Sequence, residues 1–239
     1  MPIQQRSFLE MNYIKKHKIN LLIALILMTT VCFTVFYVLT SRSKWDNYFR
    51  NTIYREPSSV VTEASKRFKM KGKAIDFGAG AGNEAVYLLR EGWDVWAVDG
   101  DPLARDWILS RGDIPDRNKL VIISSDFEEI NWDLLPQCQL IVAVYSLPFC
   151  HPESFSEVWE ILISKLEHGG RFAGHFFGSK YRGFSEKEQK RMTFLKKEDL
   201  LALFRDFDFE LFDEMEEDSK SATGAEVHSH IFNIIARKK

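Results

Sequence analysis

From Lys73 onward the chain alternates two hydrophobic patterns. Lys73–Phe77, Asp94–Asp99, Lys119–Asp126, Gln139–Tyr145 and Arg171–Gly178 are short apolar runs bounded by glycine, proline or polar residues. That pattern predicts buried strands. Between them, Glu84–Arg90, Leu103–Ser110 and Pro152–Leu166 space their apolar residues as helices do, the last through Phe155, Val158, Trp159, Leu162, Ile163 and Leu166. Gly92 closes the first of these helices and Gly169-Gly170 the third. A further helix is expected from Thr193 or Lys196 to about Phe204. Phe207–Met215 alternates apolar and polar residues, 216–225 is polar, and Val227–Ala236 is again apolar, which predicts an antiparallel hairpin. The acidic run Asp213–Asp218 is then its solvated tip. Strands alternating with helices, finished by a hairpin, predict a doubly wound α/β sheet of seven strands, mostly parallel.

Ahead of this domain lies a different pattern. Ile19–Ser41 contains no charged residue over 23 positions and has no polar face. As a helix it would rise ~34 Å, enough to cross a hydrocarbon core of ~30 Å. It is too long for a signal-peptide core and lacks a small-residue cleavage site. The expected organisation is therefore a basic flank (1–18), a transmembrane helix (19–41) and the α/β domain (42–239). Arg6, Lys15, Lys16 and Lys18 before the span balance Arg42, Lys44, Arg50 and Arg55 after it, so loop charge does not choose an orientation. Trp45–Ser59 interleaves aromatic and charged residues, which predicts an opening amphipathic helix and a turn at Pro57.

The net charge of −2 hides an asymmetry: residues 45–239 hold 26 Lys/Arg against 33 Asp/Glu. A domain at −7 is a poor partner for nucleic acid, which usually meets a basic face. Cys32, Cys138 and Cys150 share no metal-ligand spacing and lie in or beside apolar runs, which predicts buried thiols and no disulfide framework. His228-Ser-His230 places two imidazoles on one strand face, but no third ligand accompanies them, so no metal site is expected.

The chemistry concentrates at Asp76-Phe-Gly78-Ala-Gly80-Ala-Gly82-Asn83, where the first strand breaks and a helix starts. Glycines permit positive φ and let a ligand lie against bare backbone. The helix start presents unpaired N–H groups to that ligand. Gly78 and Gly80 fit the dinucleotide fingerprint, but Asn83 stands where its third glycine belongs. A carboxylate two residues before the first glycine complements a cationic ligand and repels a pyrophosphate. Asp99, 21 positions after Gly78 at the end of the second strand, is placed to accept from two ribose hydroxyls, with Gly100 turning the chain beside it.

The Asp-x-Gly-x-Gly-x-Gly turn, Leu166-x-x-Gly-Gly-Arg-Phe172 and the terminal hairpin together resemble class I S-adenosylmethionine (SAM) dependent methyltransferases. The similarity covers about residues 45–239 and is closest to the small-molecule branch with tellurite-resistance and thiopurine-type enzymes. It implies a Rossmann-like fold and SAM as cofactor, with Asp76, Gly78, Gly80 and Gly82 at its amino-acid end. It further implies Asp126 at the adenine amino group, Phe127 over the ring, and Tyr54 and Arg55 on a leading segment folded over the cofactor. The loop beyond the fourth strand, with Tyr145, should lie beside the sulfonium methyl. Tyr145, His151 and His175 are the candidate general bases. The amide-methylase motif Asn/Asp-Pro-Pro-Tyr/Phe is replaced by Tyr145-Ser-Leu-Pro-Phe149, which points to a small acceptor: a thiol, an amine, a chalcogen or a membrane-associated metabolite. A SAM-using domain should face the cytoplasm, where the cofactor is made. Two other readings are a non-catalytic SAM-binding module tethering a partner at the membrane and a nicotinamide-dependent reductase.

Overall fold

The structure is a computed structural model that describes Met28, residues 45–221 and residues 223–239. The expected span at 19–41, apart from Met28, and the flank 1–18 lie outside the described residues. Among the described residues no helix is long and apolar enough to cross a membrane. Trp45–Lys239 forms a unit of its own.

Seven strands form one sheet: β1 (Lys73–Phe77), β2 (Asp94–Asp99), β3 (Leu120–Ser124), β4 (Cys138–Ala143), β5 (Leu166–Phe177), β6 (Phe207–Lys220) and β7 (Glu226–Lys238). Their order is β3-β2-β1-β4-β5-β7-β6. β1 to β5 are parallel, while β7 pairs antiparallel with both β5 and β6. The helices are α1 (Asp46–Thr52), α2 (Ser59–Lys66), α3 (Asn83–Arg90), α4 (Ala104–Ser110), α5 (Phe155–Ser164), α6 (Glu186–Gln189) and α7 (Lys197–Leu203).

The period-2 pleat explains why the sheet is covered on both faces. Ile75 and Phe77 of β1, Ile141 and Ala143 of β4 and Phe172 and Phe176 of β5 join one buried cluster with Trp159 of α5 and Leu200 of α7. Ala74, Leu140, Val142 and Ala173 face the other way, onto Val61 and Ala64 of α2 and Ala85 and Leu88 of α3. Strand order reverses between β1 and β4, so the carboxyl end of β1 is the switch point where such sheets bind ligands.

Several boundaries differ from those expected. The α5 helix ends at Ser164, and Gly169-Gly170 lie inside β5 instead of closing the helix. The β4–β5 pairing jumps from Cys138↔Leu166 to Leu140↔Arg171, so residues 167–170 bulge, with Gly169 at φ +77°. β3 ends at Ser124, leaving Asp126 in the following loop, and β4 ends at Ala143, leaving Tyr145 beyond it at φ +54°. The acidic run is no hairpin tip: Asp213–Asp218 belongs to β6, and the turn comes after Lys220. Neighbouring lysines and histidines make the strand tolerable for those charges. Lys197 pairs with Glu214 (2.9 Å), Lys180 with Glu216 (2.6 Å), His230 with Glu214 (3.1 Å) and His228 with Asp218 (2.8 Å). His228 and His230 thus serve carboxylates of β6. Cys138 and Cys150 are buried free thiols, burial pushing each up to about 12. α2 and α6 were not anticipated from the sequence pattern.

Candidate active site

The site begins at the glycine turn after β1. Gly78, Gly80 and Gly82 all have positive φ (87°, 54° and 81°). A Cβ at Gly78 would fall on Cβ of Ser146, whose hydroxyl donates to the Phe77 carbonyl. The β4 loop and the turn are therefore in direct contact, and only glycine fits between them. Gly78 and Ala79 donate to the Val98 carbonyl (2.8 and 2.9 Å), while Gly80 N–H donates to Oδ2 of Asp99 (2.7 Å). Asp99 Oδ1 accepts from Asp101 N–H (2.8 Å). Asp99 thus braces the turn as well as ending β2. Gly82 caps α3 in the left-handed region.

Three carboxylates surround the turn. Asp76 is buried on the α3 face of β1, and its Oδ2 has no hydrogen-bond partner among the described residues. Burial, and then the charges of Glu84 and Asp99, hold its carboxyl well above the usual carboxylate range. Burial also raises Asp99, against the lowering effect of the Asp101 and Gly80 N–H groups. Glu84, in the first turn of α3, accepts from Arg55 (3.1 Å) and from Ser58 N–H (3.1 Å). Arg55 Nε is buried with no partner among the described residues. Such a shell asks for a ligand that supplies positive charge and hydrogen bonds.

Beyond the end of β4, Tyr145 and His175 stack face to face (4.1 Å between centroids, 8° between planes). His175 is buried; Nε2 lies 3.4 Å from Ser58 Oγ, and Nδ1 has no partner among the described residues. Burial, with nearby Arg55, lowers His175 to about 3, so the imidazole is neutral and a feeble base. Burial raises Tyr145 above its ordinary value. His151 is engaged elsewhere: its N–H donates to Glu128 (2.8 Å) and its Nδ1 accepts from Glu153 N–H (3.3 Å).

At the adenine-side positions, Asp126 is exposed and its Oδ1 occupies the place a Gly100 side chain would take. Phe127 is buried and stacks on Phe77 (4.2 Å, 17°), beneath Gly78. The leading segment departs from expectation in one respect. Tyr54 is 69% exposed, with Arg111 over its ring at 5.2 Å, and the ring against Gly80 is Phe49, at 3.5 Å from where a side chain would start. Phe49 faces the core because α1 is amphipathic, whereas Tyr54 follows the helix end.

Residues not anticipated as part of the site hold this cover in place. Asn83 Nδ2 donates to the Thr52 carbonyl (2.6 Å). Buried Arg111 donates to the carbonyls of Ile53 and Ala81 and to Asn83 Oδ1 (2.8 Å), and pairs with Asp113 (2.8 Å). Tyr48 is half-buried, and its pKa is raised by burial and by Glu84, Tyr145 and Asp99 nearby, against Arg55. Glu84 was legible as an acidic residue in a first helical turn. Arg111 carried no local signal, because the groups it joins to the cover, Ile53, Ala81 and Asn83, are 28 to 58 positions away.

The family model described as "Methyltransferase domain" matches residues 48–214. A search of curated proteins finds no match. Solved structures share the fold at low identity. TehB from Haemophilus influenzae is 16% identical with a TM-score of 0.63, over 77% of this chain and 63% of that one, so the chain spans less than two thirds of TehB. The 1,6-didemethyltoxoflavin-N1-methyltransferase of Burkholderia thailandensis, with bound 1,6-didemethyltoxoflavin and S-adenosylhomocysteine, is 19% identical (TM-score 0.58, 89% of each chain). The glycopeptide N-methyltransferase MtfA, complexed with SAM, is 15% identical (TM-score 0.54, 78% of this chain and 96% of that one). The family model covers most of the domain that the sheet and the glycine turn define: this chain belongs to the methyltransferase-domain family.

Proposed function

We propose that this chain is a SAM-dependent methyltransferase acting on a small-molecule acceptor, and that residues 19–41 hold it to a membrane with the catalytic domain facing the cytoplasm. The observation that carries the reading is the acidic, partly unsatisfied shell of the glycine turn, above all the partnerless Oδ2 of buried Asp76. When bound there, SAM supplies an activated methyl group on a cationic sulfur. Asp76 and the bare backbone at Gly78, Gly80 and Gly82 would hold its amino-acid end, Asp99 beside Gly100 the ribose, and Asp126 with Phe127 the adenine side. Arg55, though paired with Glu84, keeps Nε for a carboxylate. Tyr145 would stand beside the methyl, because it follows β4 at the switch point. Much of the rate would come from positioning an acceptor in line with the methyl. Asn83 counts against a nicotinamide cofactor, since its amide is committed to the cover where that fingerprint requires glycine.

The family and the bound ligands named for the Burkholderia enzyme and MtfA support SAM as cofactor. The test is formation of S-adenosylhomocysteine by the full chain with SAM and membrane extract. Turnover is expected; saturable SAM binding with no turnover on any extract would favour the non-catalytic module. For the anchor, the full chain should sediment with membranes after lysis without detergent. Recovery in the soluble fraction would deny the span.

A further inference from the structure

Beyond Tyr145 the site continues as a wall of rings. Phe177, the last residue of β5, lies 6.3 Å from Tyr145 and stacks on Tyr181 (4.1 Å, 7°). Phe149 is 6.4 Å from Phe177 and 5.7 Å edge-on from Phe184, and Phe194 lies 6.3 Å from Phe177. Tyr145, Phe149, Phe184 and Phe194 are only half-buried, so the rings are not closed off as an interior core. Five of the six come from just two places, the loop after β4 and the segment 178–196 between β5 and α7.

That segment is fixed at both ends. Gly178 N–H donates to the His230 carbonyl (2.7 Å), and Arg182 and His228 exchange two backbone bonds (2.8 Å each). Lys180 N–H donates to His230 Nδ1 (3.2 Å). At the other end Thr193 donates from N to the Pro148 carbonyl (2.8 Å) and from Oγ1 to the Cys150 carbonyl (2.9 Å). The ring wall is thereby tied to the loop that carries Tyr145. None of its side chains is charged. Of the cations around it, Lys180 is paired with Glu216 (2.6 Å), Arg182 donates to the backbone carbonyls of Ser179 and Tyr181 (3.0 and 2.7 Å), and Arg55, close to Tyr145 and His175, is paired with Glu84 (3.1 Å) and assigned above to the cofactor's carboxylate.

We infer that the acceptor of this site is an uncharged, flat aromatic molecule whose nucleophile is a neutral nitrogen. The inference rests on the methyl-transfer reading above and names its substrate class. Flat rings gain offset-stacked and edge-to-face contacts against such a wall. An oxyanion finds no unpaired cation among these rings, and Glu84 and Asp99, close enough to act on Tyr48 beside Tyr145, oppose it. A thiol must ionise before it attacks, and the same carboxylates oppose the thiolate. His175 adds no strong base. A neutral amine brings its own lone pair. Its nitrogen forms the N–CH3 bond as the S–CH3 bond breaks, with that electron pair left on sulfur. The positive charge passes from sulfur to nitrogen, among carboxylates and ring faces that favour a cation, and the nitrogen then releases its proton to water.

The test uses the full chain in mild detergent, saturated with S-adenosylhomocysteine, and three probes: 6-aminoquinoline, 4-nitrothiophenol and selenite. SAM binding is measured first, because its absence from the wild-type chain removes the methyl-transfer reading and this inference with it. With SAM binding in hand, 6-aminoquinoline should bind saturably and, with SAM, yield an N-methylated product, while the two anions do not bind. Phe184→Ala and Phe184→Leu should each weaken 6-aminoquinoline binding about tenfold and leave SAM affinity unchanged, which shows that the variants are folded. The inference is overturned, with methyl transfer intact, by no saturable binding of the amine, by preferred binding or methylation of either anion, or by equal amine affinity in both variants and wild type.

Discussion

An Asp99→Ala substitution removes two backbone hydrogen bonds before any ligand is considered. Oδ2 accepts from Gly80 at 2.7 Å and Oδ1 from Asp101 at 2.8 Å, so the carboxylate ties the glycine turn to the end of β2. Bonds to a charged acceptor contribute ~1.5–3 kcal/mol each. Two effects reduce the total. Burial disfavours the ionised carboxylate, as its raised pKa records, and the half-buried Gly80 and Asp101 can bond water once it is gone. The net stability loss should be about 2 kcal/mol, or roughly 4–8 °C in melting temperature for a domain of this size. Affinity for SAM should fall further, by ~1.5–3 kcal/mol for the lost ribose contacts, which is roughly ten- to 150-fold. Asp99→Asn is a sharper probe. Its amide has one accepting oxygen, and its NH2 must face one of the two backbone donors, so it should recover at most one bond and fall closer to alanine than its shape suggests. Differential scanning calorimetry gives the stability and isothermal titration the affinity. Wild-type SAM affinity in a folded Asp99→Ala chain would remove the residue from the cofactor site. An unchanged melting temperature would show that the two backbone bonds stabilise nothing.

Other expectations follow from the same geometry. Asp76 has a folded pKa above its unfolded value, so the folded chain binds more protons and loses stability as pH rises from the unfolded pKa of ~3.9 through the folded one. Asp76→Asn removes that loss: its melting temperature relative to wild type should climb with pH across this window while SAM affinity falls, and parallel melting profiles would contradict the burial argument. Gly80→Ala meets only Phe49 at 3.5 Å, so its cost should be mainly the ~1–2 kcal/mol of a left-handed alanine. Gly78→Ala adds a collision with Ser146 and should be clearly less stable; equal melting temperatures would refute the close approach. Arg111→Met leaves three acceptors unpartnered and should free residues 45–58 to proteolysis while weakening SAM binding, both measurable against an unchanged digestion pattern as the opposing result.

The sheet was legible because its strands are short apolar runs whose ends fall at glycine, proline and polar residues; β2 lies at Asp94–Asp99, as its pattern predicts. Where a glycine can serve two purposes, the pattern misled. Gly169-Gly170 looks like a helix stop, yet the chain needs those residues for the bulge that brings Arg171 opposite Leu140. The hairpin was misjudged for a similar reason. A run of carboxylates reads as a solvated turn until Lys180, Lys197, His228 and His230, all distant in sequence, supply its partners. Asp76, Asp99 and the glycines could be placed because they sit at strand ends in fixed spacing. Arg111, Ser58 and Phe49 could not, because their contribution depends on which segments meet across the turn. Tyr54 shows the converse, an aromatic residue in the leading segment that faces solvent.

The central claim is that the acidic glycine turn takes the cationic cofactor SAM, and one titration tests it most directly. The full chain is titrated calorimetrically with SAM and, separately, with NADH at neutral pH. Saturable SAM binding that Asp99→Ala weakens, with no heat from NADH, is the predicted result. NADH binding in the absence of SAM binding would contradict the account at its root.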